Sequence, residues 1–254
     1  VVETVDLAAL SEQQWVSLGI SNLRSLTTSQ WSYLNTEDLH ALTSVQWAGV
    51  LTDALDALTT SQWAAMATVD LVSLKPTQWS SLKPAAINSL RSEQWTALES
   101  SDLSSLVTSQ WAALETASLI ALTTSQWRQV MVEDLKALLT QQWLAMETDD
   151  LRGLTDSQWS SISTSVVRVI SSEQWISVGT SSLVALTSEQ WRSFEEADVS
   201  ALTSSQWKSL ESSDLNALSS SQWLYVETQD LRAISTEVWA AIASEDLRSL
   251  STSQ

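Results

Sequence analysis

Apolar residues return at the first and sixth places of every eight residues along the chain, with polar residues between them. In "LTSSQWKS" (202–209) and the following "LESSDLNA" (210–217), Leu opens each octad and Ser stands third. An amide or a carboxylate is fifth, and Trp or Leu is sixth. Alternate octads carry the Trp, so the larger period is 16. Tryptophan falls at Trp15, Trp31, Trp47, Trp63, Trp79, Trp95, Trp111, Trp127, Trp143, Trp159, Trp175, Trp191, Trp207, Trp223 and Trp239, without an insertion or deletion. Gln precedes fourteen of these fifteen, Val238 being the exception. Asp takes the fifth place in most of the other octads, as at Asp38, Asp70, Asp102, Asp134, Asp214 and Asp246. Such regularity means that each copy occupies the same place in a stacked structure.

A strand does not fit, because places one and six are not related by alternation and β-branched residues are outnumbered. A continuous helix fails as well. Eight residues at about 100° each leave the apolar stripe roughly 80° out of phase per octad, so no face could stay buried. The pattern fits a short helix that stops and restarts. Ser or Thr at the third place supplies a hydroxyl for the free amides of a new turn. Pro76 and Pro84 occupy that same place, which suits a first turn and no later one. Whether the third place is the N-cap or the residue after it is left open by the pattern. Gln or Asp two places on lies in the first turn, where it can cap amides or meet the positive helix end.

The expected fold is therefore all-α: an α-solenoid of 16-residue coils, two short helices per coil. A Trp column runs along one side beside Gln, with Leu beside Asp on the other. Residues 1–254 read as one continuous array of about sixteen repeats. With helices about 8–10 Å apart, the array would make a rod on the order of 130–160 Å long. Small residues at places seven and eight (Ala64, Ala65; Ala112, Ala113; Ser160, Ser161) let neighbouring backbones approach.

Composition sharpens the part played by the aromatics. There are 15 Trp against 2 Tyr and 1 Phe, with 4 Gly, 2 Pro and no Cys. A Trp buries about 150–250 Å², so it is the filler that gives so thin a coil a core. A buried indole N–H needs an acceptor, and the adjacent Gln is a candidate. A net charge of −18 repels nucleic acid and anionic membranes, so neither is an expected partner. No apolar run approaches the roughly 20 residues of a membrane span. "VVETVDLAAL" has neither the basic start nor the apolar core of a signal peptide.

Candidate chemistry is sparse. No nucleophile–base pair, metal triad or phosphate loop is visible, which predicts no catalytic residue, no cofactor and no enzyme. Asp residues 16 apart without Gly-rich loops are weak calcium ligands; capping or solvated charge explains them better. His40, the only histidine, reads as a surface residue. The fifteen Trp form a structural ladder on the leading interpretation. Rows of exposed Trp could instead stack on sugar rings, and a transfer wire for electrons or energy is a third reading. "LKPTQWSSLKPAAI" (74–87) and "STSVVRVI" (163–170) keep the length and the apolar places, so both read as drift rather than as a site.

Octads of the form "LTTSQWAAL" resemble the "L-T-T-x-Q-apolar-x-A" arrays of very large bacterial surface-associated and secreted repeat proteins. The resemblance spans essentially the whole chain. Those arrays commonly use Val or Ile sixth, and Trp in alternate octads departs from them. The resemblance implies an extracellular stalk, adhesin or filament subunit that associates with itself end to end or laterally. The chain starts within a repeat and stops at Gln254, the residue before a next Trp, which reads as a window on a longer chain. A binding module for a linear polymer such as a glycan is the alternative.

Overall fold

The structure, a computed structural model, describes residues 4–252 and 254. Among the described residues it is a succession of helices of four to six residues, one per octad, with no strand. The octad restarts its helix at the second place. Thr123 is extended there, with φ −80° and ψ 156°. Its Oγ1 accepts from the Gln126 amide at 3.2 Å, and Gln126 Oε1 accepts from the Thr123 amide at 2.8 Å. This reciprocal pair is a capping box with Gln at the third helical position. The second place is thus the N-cap and the third the first helical residue, where Pro76 and Pro84 also stand. The six-residue helices end where the next octad turns extended, as at Leu34 with φ −60° and ψ 137°, and the shorter ones end one or two residues earlier.

The chain forms two compact units, Val1–Val130 and Met131–Gln254. Within each, a helix packs against the one three places along. In the first unit Thr28–Tyr33 meets Thr52–Leu55, and in the second Ser172–Ser177 meets Glu196–Ala201. Side-chain hydrogen bonds reach the fourth helix: Gln94 Nε2 donates to Trp63 O at 2.9 Å and to Met66 O at 2.8 Å. The fold is an α-solenoid of two-helix, 16-residue repeats, but the repeat and the turn differ in length. A turn takes between three and four octads rather than two. Two short antiparallel helices enclose no interior wide enough for an indole, whereas three to four sides do. The helices thus join their third and fourth neighbours, much as residues do within an α-helix.

An even repeat on this turn gives every Trp-bearing helix two kinds of neighbour. Three places on lies a helix of the Leu/Asp type, and four places on lies another Trp helix. The sixth and first places point inward. Trp63, Leu55, Leu71 and Ile87 are fully buried, with Met66 and Phe194 filling first places. Small residues at the eighth place permit the approach: a Cβ on Gly49 would come within 2.8 Å of Ile20.

Candidate functional site

The fifth and sixth places carry the repeated chemistry. From Trp15 to Trp223 every indole is buried, at 0–1% exposure, and Trp239 is half-buried. Ring pairs one repeat apart touch inside each unit. Trp31 and Trp47 lie 6.2 Å apart, Trp111 and Trp127 6.4 Å, Trp159 and Trp175 5.4 Å, and Trp223 and Trp239 6.2 Å. Phe194 fits between Trp175 and Trp191, at 4.3 and 4.7 Å. These separations are the offset and tilted contacts that aromatic rings prefer.

The glutamines do not serve the indoles, as the sequence had suggested. Their Oε1 atoms are used by the N-cap amides, and their Nε2 atoms donate backwards to main-chain carbonyls. Gln62 reaches Trp31 O at 2.9 Å and Leu34 O at 2.7 Å, and Gln222 reaches Trp191 O and Phe194 O, both at 2.9 Å. These carbonyls belong to a helix end, where the last turn leaves acceptor capacity unused. One amide thus caps its own helix at the N-terminus and another at the C-terminus. Gln is the side chain that fits, because it carries an acceptor and two donors without charge.

The indole N–H groups fare differently. Trp15 donates to Asp38 Oδ1 at 3.1 Å, and Trp239 donates to Leu231 O at 3.1 Å. Those of Trp31, Trp47, Trp63, Trp79, Trp95, Trp143, Trp175, Trp191, Trp207 and Trp223 are buried and find no acceptor among the described residues. An unpaired buried donor costs about 1–3 kcal/mol, so ring burial outweighs that cost in this array. The Trp191 indole lies near enough to Asp214 to favour its ionised form, though short of hydrogen-bond geometry.

Asp at the fifth place caps its own N-terminus in some octads and meets the helix three places away in others. Asp102 and Asp214 accept from the Glu99 and Glu211 amides at 2.9 Å. Ser172 donates to Asp198 at 2.7 Å and Ser44 to Asp70 at 3.3 Å, each pair 26 residues apart. The same contact appears inverted where Asp156 stands third and Ser182 fifth, at 2.9 Å. This serine–aspartate pairing escaped the sequence analysis; its signal was the exchange of the two residue types at one fixed offset. Burial raises the carboxyls of Asp70, Asp102, Asp198, Asp230 and Asp246 above the ordinary range, and that of Asp214 to about 6. Hydrogen bonds from Ser44, Ser172 and Ser204 pull the other way at Asp70, Asp198 and Asp230.

His40 is exposed at the seventh place, and its Nε2 donates to Ala65 O at 2.6 Å. Asn88 does the same to Ala113 O at 2.9 Å and Asn216 to Ala241 O at 3.2 Å, so a polar seventh place can tie a Leu/Asp helix to the helix end three places on. Among the described residues no group of three or more His, Asp or Glu side chains is close enough to hold a metal. No helix there is long and apolar enough to cross a membrane. No protein-family model matches the chain, and no curated protein matches it.

Proposed function

We propose that this chain is a non-enzymatic structural repeat protein, an acidic α-solenoid that serves as a stalk or filament and associates with copies of itself. The observation that carries this reading is the complete use of the repeated side chains by the array. The indoles are core, and the glutamine amides clamp one turn to the next. Placement outside a bacterial cell rests on the resemblance of the octads to surface-associated repeat arrays. The alternative, a module that holds a linear glycan, loses its most natural platform, since a ring at 0% exposure cannot stack on a sugar. Such a module would need some other face.

Tryptophan emission tests the choice. The structural reading expects blue-shifted emission that added polysaccharides leave unchanged. Red-shifted emission quenched by a glycan would overturn it.

A further inference from the structure

The helices are too short to stand by themselves. Each described helix holds four to six residues, whereas an isolated helix needs about 12–15 to be even marginal in water. Their order therefore comes from packing on the neighbouring turn. The ties that accompany this packing span little chain. Trp15 reaches Asp38 over 23 residues, His40 reaches Ala65 over 25, and Ser172 reaches Asp198 over 26. The glutamine clamps reach further, Gln94 meeting Met66 and Trp63 over 28 and 31 residues. Each tie joins a helix to the next turn rather than to the array as a whole. The chain also has no Cys with which a disulfide could staple distant turns.

Such connectivity decides how the array yields to load. An octad drawn out of a turn loses its contacts with its third and fourth neighbours and leaves the turns beyond them intact. The octads are near-copies, so releasing one costs much the same as releasing the next. The clamps meet the load in succession, because Gln46, Gln62, Gln78, Gln94, Gln110 and Gln126 stand 16 residues apart and each holds one turn. Length is gained steeply. A turn of three to four octads advances by about 8–10 Å where helices pack, and the same residues drawn straight span about 80–110 Å. Return is easy as well, since loops of this length close at small entropic cost and contacts local in sequence form fast.

We propose that the solenoid is an elastic element: under tension it unwinds octad by octad, and it rewinds when the load falls. The inference rests on the stalk reading above and gives the stalk a mechanical function. The glutamine clamp sets the load at which a turn opens, since its two bonds to the preceding turn break only when that turn parts.

Optical tweezers on the full chain test this, with handles at Ser21→Cys and Ser125→Cys. Both positions are exposed, both lie in the first unit, and the chain has no other thiol. Extension should rise in small steps at nearly constant force, and relaxation should retrace it. Gln94→Ala removes both bonds to the preceding turn, so that turn should open about tenfold faster at the same force while the other steps stay as they are. One abrupt rip of the whole unit overturns the proposal, and so does extension that fails to reverse. A step pattern that Gln94→Ala leaves untouched overturns the clamp as the element that sets the load. The stalk reading is judged separately by emission. A single rip with blue-shifted emission leaves a rigid stalk and overturns the elastic element. Reversible steps with emission quenched by a glycan support the elastic element and overturn the stalk.

Discussion

Gln94 and Asp102 hold the same fifth place in successive octads, both buried, and each accepts from the amide of its own N-cap. They differ in what remains. Gln94 still has an amide group to give, and spends it on Trp63 O and Met66 O. Asp102 has no donor, and its carboxyl is raised by burial. The Trp octads therefore connect turn to turn through a neutral group that satisfies both of its ends. The Leu/Asp octads hold a carboxylate that would rather be hydrated. One half of the repeat is a clamp insensitive to pH, and the other stores a penalty that depends on it.

The largest expected effect comes from removing what both halves pack against. Trp127→Ala should cost about 4–5 kcal/mol, and Leu119→Ala nearer 2–3 kcal/mol, since the indole leaves the larger cavity. Both side chains are essentially fully buried, so exposure does not bias the comparison. Chemical denaturation of the two variants checks it; equal, small losses would mean that the indoles are not the core.

Next comes a direct exchange of the two chemistries. Gln94→Glu keeps the acceptor for the Arg91 amide but turns an oxygen toward two carbonyls. A loss of about 3 kcal/mol is expected at neutral pH. Protonation would return one donor, so the variant should recover as the pH falls. A loss independent of pH would show that the amide acts through shape alone.

Asp214→Asn asks the converse question. The wild-type carboxyl is raised to about 6, above its value in the unfolded chain, chiefly by burial. Its contribution to stability is therefore complete below about pH 4 and is lost as the pH rises through about 6. The wild type should melt at a higher temperature at pH 4.5 than at pH 7.5. Asparagine should remove part of that slope and stabilise the neutral protein by about 1–2 kcal/mol, after allowance for partial solvent screening. Thermal melts across that range decide it, and a wild type that weakens on mild acidification would contradict the sign.

The sequence revealed most of this where one residue type recurs in one place. A rigid 16-residue spacing of Trp, and Pro76 and Pro84 in a single slot, announced short helices restarted at fixed intervals. The number of helices per turn was not legible, because the octad pattern is the same whichever neighbour a helix meets. The partners of Gln94, 31 and 28 residues back, reveal it, together with the packing of each helix on the one three places along. The same blindness hid the serine–aspartate contacts, since Ser172 and Asp198 belong to octads that the sequence does not place side by side. It also made Gln beside Trp look like an indole partner, whereas a side chain at the third helical position points back to its own N-cap.

The smallest effect tests the one octad that departs from the clamp. Val238 stands where fourteen other Trp have Gln before them, and its helix Thr236–Ala240 keeps only the Ser235 cap at 3.3 Å. Residues 31 and 28 places back are Trp207 and Leu210, whose counterparts elsewhere receive the two amide bonds. At this joint the turns are held by packing without the clamp. Val238→Gln should therefore restore the amide bonds and stabilise the second unit by about 1 kcal/mol. Amide exchange at residues 236–242 should slow, while that around Gln206, whose clamp to Trp175 and Val178 is already made, should stay as it is. If exchange at both joints responded alike, or neither did, the amide would not be what distinguishes a clamped turn from an unclamped one.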